Sequence, residues 1–162
     1  MKNLTRLTLI IGMIGMLLAC GKYEDGPLLS LRTKNARLEG EWKLTALEKV
    51  STSDVFSSTQ TLSNGIMTEI SSGFSSSYAY SESWTITLND NLIKMDVTED
   101  GYNSIYTTYW NWENGSSSKE LINIDGELYR IIKLSNKEMI LEQNYASSTG
   151  TTVNSTLTFE KQ

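Results

Sequence analysis

Ala36-Arg37-Leu38-Glu39-Gly40-Glu41-Trp42-Lys43-Leu44 is the stretch at which the chain changes its period. Ahead of it the spacing is helical: Leu31 and Leu38 fall at i and i+7 on one face of a helix over residues 31–38, with Ser30 as its cap and Gly40 just past its end. After Gly40 the period is two, with Trp42, Leu44 and Ala46 on one face and Lys43 and Thr45 on the other. So short a helix does not stand alone in water, so it must dock on the strands that follow, and Trp42 is the obvious neighbour.

Toward the C-terminus the period of two persists. Tyr78, Tyr80, Trp84, Ile86 and Leu88 alternate with Ala79, Ser81, Ser83, Thr85 and Thr87, and Ile93, Met95 and Val97 alternate with Lys94 and Asp96. Tyr102, Tyr106, Trp110 and Trp112 share a face, with Ile105 and Tyr109 on the other. Leu128, Ile132 and Leu134 share a parity, as do Met139 and Leu141, and Val153, Leu157 and Phe159 mark a last strand. Asn64-Gly65, Asp100-Gly101, Asn114-Gly115 and Asp125-Gly126 stand between these runs, and such dipeptides favour the two-residue turns of antiparallel hairpins. Asn89-Asp90-Asn91 and Ser135-Asn136 supply two further tight connections.

Successive hairpins form an up-and-down meander, and about 8–10 strands with one polar face each close best into a barrel, which leaves no exposed edge. The expected fold is therefore all-β: one antiparallel barrel domain over residues 30–162 with a short N-terminal helical turn. A β-sandwich is the alternative, but it needs longer crossover connections than most of these joints supply. Residues 51–63 and 71–77 are dense in Ser and Thr, with Phe56, Leu62 and Phe74 isolated among them. They read either as a ragged hairpin around Asn64-Gly65 or as loops over the barrel mouth.

Toward the N-terminus, Lys2 and Arg6 precede an apolar run from Leu7 to Leu18, then Ala19-Cys20. A run of about 12 residues is short of the ~20 that span a bilayer and has the proportions of a signal peptide. Leu17-Leu18-Ala19-Cys20 resembles the bacterial lipobox. That resemblance implies removal of residues 1–19, a diacylglycerol on the Cys20 thiol and acylation, with a chain such as palmitate, of the new amine. The other reading is an ordinary secretory peptide with an incidental cysteine. Stable anchoring takes at least two acyl chains, a requirement that Cys20 alone would meet. Residues 20–29, with Gly21, Gly26 and Pro27, then form a tether that reaches at most about 35 Å. Gly21 stands where Asp retains many lipoproteins in an inner membrane. Lys22-Tyr23-Glu24-Asp25 resembles the Lys-plus-acidic tract of surface lipoproteins of Bacteroidetes, or is a solvated linker. The expected location is the cell envelope, lipid-anchored at the outer membrane and facing either the periplasm or the surface.

Charge and residue usage exclude several functions. Lys2 and Arg6 are the only charges before Cys20, so removal of residues 1–19 leaves 12 basic side chains against 19 acidic ones. So acidic a protein is a poor partner for phosphate backbones, and nucleic-acid binding is not expected. With no histidine and one cysteine, Ser-His-Asp and Cys-His machinery and zinc sites lack their parts. Glu99-Asp100 sits at a hairpin turn, where solvated acids are ordinary. No enzyme activity, metal or cofactor is expected, and the expected state is a monomer.

The mature chain resembles the lipocalin-like lipoproteins of Bacteroidetes. The matching parts are Cys20 and its acidic tether, Ser30 to Leu38, Gly40-Glu41-Trp42-Lys43-Leu44, and Ile132-Lys133-Leu134 through Met139-Ile140-Leu141-Glu142. The resemblance implies a cup-shaped cavity whose closed end is plugged by Trp42 beside Gly40, under a basic residue of the last strand, here Lys161. In such a barrel the parity of each strand nominates lining residues. These are Tyr80, Glu82, Trp84, Tyr102, Tyr106, Trp110 and Trp112, with Arg130 as an inward counter-charge; Glu82 reads alternatively as a solvated acid near its strand's open end, and a bulge would turn Arg130 outward. The same rings also serve as filling for a small barrel's core. The functional expectation is capture or carriage of a small apolar or amphipathic ligand. The alternative is a filled barrel whose loops at 51–64, 71–77 and 146–151 bind a protein or glycan.

Overall fold

The computed structural model describes residues 33–72, 77–113, 120–148 and 150–162; the expected signal peptide and tether, Cys20, Ser30, Leu31, Phe74 and Asn114-Gly115 lie outside the described residues. A helix, α1 (Lys34–Leu38), precedes ten strands: β1 (Gly40–Thr52), β2 (Ser57–Ser63), β3 (Ile66–Ser71), β4 (Ser77–Asn89), β5 (Leu92–Glu99), β6 (Tyr102–Trp112), β7 (Leu121–Ile124), β8 (Glu127–Leu134), β9 (Glu138–Ala146) and β10 (Thr152–Lys161). Each strand pairs antiparallel with the next, and β10 returns to β1 to close the barrel. The expected all-β meander is borne out, and the Ser/Thr-rich stretch around Asn64-Gly65 is the β2–β3 hairpin rather than a pair of loops.

Turn chemistry explains the joints. Asn64 and Gly65 hold φ of +53° and +75°, Asp100 and Gly101 +46° and +86°, and Asp125 and Gly126 +55° and +87°. Two consecutive left-handed residues match the twist of a two-residue hairpin, and Asn-Gly or Asp-Gly adopts them at least cost. At the other end of the domain Thr33 caps α1, its Oγ1 accepting from the Ala36 amide at 3.2 Å.

The barrel is closed differently at its two levels. Near the floor β1 pairs directly with β4, Gly40 to Lys43 against Leu88 to Thr85. The β2–β3 hairpin enters between them only above, pairing with β1 from Ala46 to Thr52 and with β4 from Ser77 to Ser81.

Two β-bulges reset which side chains face inward. In β1 the register against β10 passes from Leu44↔Phe159 to Ala46↔Thr158, which leaves Thr45 unopposed. Leu47 therefore faces the core and Ala46 faces solvent, where simple alternation had placed Ala46 inside. In β8 the register against β9 passes from Ile131↔Leu141 to Lys133↔Ile140, which leaves Ile132 unopposed. Leu134 and Ile131 are both buried, so Leu128 and Arg130 point outward, not inward. Arg130 meets Glu142 at 3.0 Å on the outer surface and is no inward counter-charge.

The floor is tied by polar contacts to one apolar ring system. Trp42 is fully buried, and its Nε1 donates to the Leu38 carbonyl at 2.7 Å, which docks α1 on β1. Lys161 Nζ lies 4.7 Å from the Trp42 ring centroid and donates to the carbonyls of Arg37 and Glu39 at 2.9 and 2.6 Å. Arg37 Nη1 donates to the Leu134 carbonyl at 3.0 Å, and Trp112 Nε1 to Asn35 Oδ1 at 2.9 Å. Gly40 holds φ of +124°, and a Cβ there would stand 2.8 Å from Lys161 Cε.

Gly40→Ala thus forces both a disfavoured backbone and displacement of the pinned lysine, and urea denaturation is expected to give a loss of about 1–3 kcal/mol. Trp42→Ala is expected to lose about 3–5 kcal/mol by the same measurement, as for other large aromatic truncations in a core.

Candidate functional site

Above this floor the barrel holds a cavity in which polar side chains join apolar ones such as Leu47, Met67 and Leu157. The alternation of β4 directs Tyr80, Glu82 and Trp84 inward, and they line a cavity of about 300 Å³ together with Lys49, Gln60, Glu127, Tyr129, Gln143 and Tyr145. Glu82 is its most buried charged member, only 8% exposed. Trp84 Nε1 donates to Glu82 Oε1, whereas Glu82 Oε2 has no hydrogen-bond partner. Glu82 also stands directly opposite Glu99 in the β4–β5 ladder. Burial pushes the Glu82 carboxyl above its ordinary value; the Trp84 N–H pulls it back in part, and the Glu99 charge adds to the rise.

Across the cavity Glu127 is already satisfied. Its Oε2 accepts from the Tyr129 hydroxyl at 2.9 Å and from Gln143 Nε2 at 3.1 Å. Burial and the bond to Glu127 push the Tyr129 hydroxyl well above the ordinary phenol range, so it remains a donor at every physiological pH. Gln60 Nε2 donates to Glu69 Oε2 at 2.8 Å. Two ion pairs on the outer wall, Arg130–Glu142 and Lys133–Glu138, leave the cavity carboxylates untouched. Aromatic walls around one unsatisfied buried carboxyl form the arrangement by which small-ligand sites fix orientation. Among the described residues no group of three or more His, Cys, Asp or Glu is placed to hold a metal ion.

The rim above the cavity descends in steps. The Asp100-Gly101 tip of the β5–β6 hairpin stops at Ser81, whose carbonyl accepts from the Asp100 amide at 2.9 Å. The Asp125-Gly126 tip of β7–β8 stops at Tyr109, whose carbonyl accepts from the Asp125 amide at 3.1 Å. β7 pairs with β6 only along Trp110 to Trp112, and the β8–β9 ladder ends at Arg130↔Glu142. From Tyr102 to Thr108, β6 therefore has a strand on one side only. Tyr102 and Tyr106 have inward parity, opposite Glu99 and Met95, yet they are 82% and 55% exposed because no strand among the described residues faces them.

The eight residues nominated from parity thus separate into four groups. Tyr80, Glu82 and Trp84 line the cavity; Tyr102 and Tyr106 lie on the open inner face of β6. Trp110 and Trp112 belong to the floor, edge to face with ring centroids 5.8 Å apart, and Arg130 is outside. Gly40, Trp42 and Lys161 meet one another at the closed end. Tyr129 and Lys49 were missed for one reason: each lies beyond a bulge, so strand parity counted from the core end assigns it to the wrong face. Gln143 and Tyr145 were available, since they continue the odd parity of Met139 and Leu141.

Glu82 yields a pH signature. Its folded-state value lies above the unfolded one, so the stability contributed by the protonated acid is complete below the ordinary 4.5 and is lost as pH rises through the folded-state value. Glu82→Gln keeps an oxygen for Trp84 without the charge. The variant is expected to melt above the wild type at pH 7, with the gain shrinking to nothing near pH 4, by thermal denaturation followed across that range.

Searches against protein-family models, curated proteins and solved structures find no match to the chain. What stands on geometry is a ten-stranded closed barrel, a fold compatible with a ligand-binding protein of the calycin kind.

Proposed function

We propose that this chain is a lipid-anchored, non-catalytic binding protein of the cell envelope that captures or carries a small amphipathic ligand inside its barrel. The observation that carries this reading is the buried Glu82 carboxyl, with one oxygen unpartnered, in the wall of a cavity of about 300 Å³. An unsatisfied buried polar group costs roughly 1–3 kcal/mol, and a ligand that donates to it recovers that cost. Tyr80, Trp84 and Tyr145 give the apolar body of such a ligand broad contact while keeping polar edges available. Anchoring rests on the lipobox-like Leu17-Leu18-Ala19-Cys20, and the tether that follows sets the barrel off from the bilayer as a monomer at the outer membrane.

Protein starting at Gly21, purified gently, is expected to carry added mass in native mass spectrometry. Titration with fatty acids, fatty amines and sterols is expected to find a ligand that changes tryptophan emission with a dissociation constant of ~1–100 µM, and Trp84→Phe to remove most of that change. No added mass together with unchanged emission across the panel would overturn the binding reading. Separately, Cys20→Ser is expected to move the full-length protein from the detergent phase to the aqueous phase on phase partition of whole envelopes. Retention in the detergent phase would refute the anchor.

A further inference from the structure

The stepped rim and the acidic wall meet at one place. The two cross-strand pairs Glu82↔Glu99 and Trp84↔Val97 each set a residue of the cavity beside a residue of the open face, because Val97 and Glu99 line, with Tyr102 and Tyr106, an adjoining hollow of about 370 Å³. Directly opposed residues in an antiparallel ladder have Cβ atoms about 5 Å apart. The cavity and the open face are therefore one continuous surface, with two carboxylates at the junction.

Like charges directly opposite each other in a sheet are destabilising, and here one of the two is also buried. The charged groups facing this surface are Glu82, Glu99, Asp100, Glu127, Glu69 and Lys49, with the hydroxyls of the lining tyrosines beside them. Glu127 is engaged by Tyr129 and Gln143, and no ion pair joins Lys49 to Glu82. A donor carrying positive charge is the chemistry that would satisfy the remaining oxygen of Glu82 and relieve its repulsion with Glu99.

The open face is as specific as the junction. Tyr102 and Tyr106 carry inward parity but meet no opposite strand among the described residues, since β7 and β8 turn back at Asp125-Gly126. A cavity of about 300 Å³ is at the small end of the ~300–1,000 Å³ range of ligand pockets. A longer molecule seated at Glu82 has an apolar route outward that needs no displacement of the floor, along Val97, Tyr106 and Tyr102.

We propose that the cut-away side of the barrel is a second subsite, continuous with the cavity, and that the ligand is a cationic amphiphile whose ammonium head sits between Glu82 and Glu99 while its chain lies on the Val97–Tyr106–Tyr102 face. This deepens the binding reading and rests on it. The side opening then serves as the portal, and chain length as well as head charge sets affinity.

The test compares three probes below their micelle concentrations: dodecylamine, hexylamine and dodecanoate. Tryptophan emission and native mass spectrometry provide the readouts. Dodecylamine is expected to bind at least about tenfold more tightly than hexylamine, since each methylene removed from water is worth roughly fourfold, and at least about tenfold more tightly than dodecanoate, whose equal chain carries a carboxylate that Glu82 and Glu99 repel. The double variant Tyr102→Ser, Tyr106→Ser changes only exposed side chains. It is expected to bring dodecylamine to the affinity of hexylamine and leave hexylamine unchanged, whereas Glu82→Gln weakens both amines. Circular dichroism and melting curves establish that each variant is folded.

Dodecanoate binding as tightly as dodecylamine overturns the assignment of the head, and a double variant with wild-type affinity for dodecylamine overturns the subsite. A dimer seen by light scattering that the double variant dissolves, with amine binding unaltered, assigns the face to a second copy and likewise overturns it. If no amine binds but native mass spectrometry finds a neutral or acidic adduct in the cavity, this inference fails while the binding reading stands. If nothing binds at all, both fail.

Discussion

The ammonium of Lys161 holds the two ends of the domain together. It comes from the last strand, 124 and 122 positions along the chain from the carbonyls of Arg37 and Glu39 that it meets, and it lies over the ring of Trp42. Those carbonyls are free to accept because they close a helix of only five residues, whose last turn leaves its acceptors without intrahelical partners. The lysine therefore satisfies groups that burial at the floor would otherwise strand. Gly40 is part of the same constraint: its backbone bends the chain from helix to strand at a φ of +124°, and its missing side chain gives Lys161 its path. Contacts so distant in sequence carry a large loop-closure cost, which the floor offsets by joining the two ends of the barrel.

Above the floor, packing and hollowness divide along the same line as the strand pairing. Where β1 meets β4 directly the barrel is narrow, and Leu44, Ile86, Leu88, Ile93, Met139 and Phe159 fill it. Where the β2–β3 hairpin wedges between them the wall is displaced, and the side chains turn polar: Lys49, Gln60, Glu69 and Ser155 take the inward positions. A filled core and an open cup thus coexist in one small domain, because the hairpin contributes to only one of the two levels.

The fold was legible because its signals are local. Asn64-Gly65, Asp100-Gly101 and Asp125-Gly126 fix their turns through backbone chemistry that acts within two residues. The alternation of β4 holds from Tyr80 to Leu88, so Tyr80 and Trp84 fall on the interior side as their parity has them, while Glu82 is buried there rather than solvated near the strand's open end. Face assignment failed where register depends on a partner strand. Nothing within Leu44-Thr45-Ala46 or Ile131-Ile132-Lys133 announces an unopposed residue; the bulges exist because β10 and β9 each offer one residue fewer. The exposure of Tyr102 and Tyr106 was likewise illegible, since it arises from the short reach of a different hairpin, β7–β8. Parity names a face, and only the neighbouring strands decide whether that face is covered.

The two bulges bear on how this chain tolerates changes of length. Elsewhere in a strand, loss of one residue exchanges inside for outside along all that follows. At Thr45 the loss is silent in that respect: Leu44, Ala46, Leu47 then alternate in, out, in, as the ladder with β10 already has them. The same holds at Ile132, where Ile131, Lys133, Leu134 fall into the alternation that β9 already meets. These positions are the splice points of the barrel, where the reading frame of the pleat slips by one without moving a core side chain into water. A chain one residue shorter at either site keeps its inner wall and gives up the local twist that the extra residue adds, together, at Thr45, with the bond its Oγ1 donates to the Thr158 carbonyl.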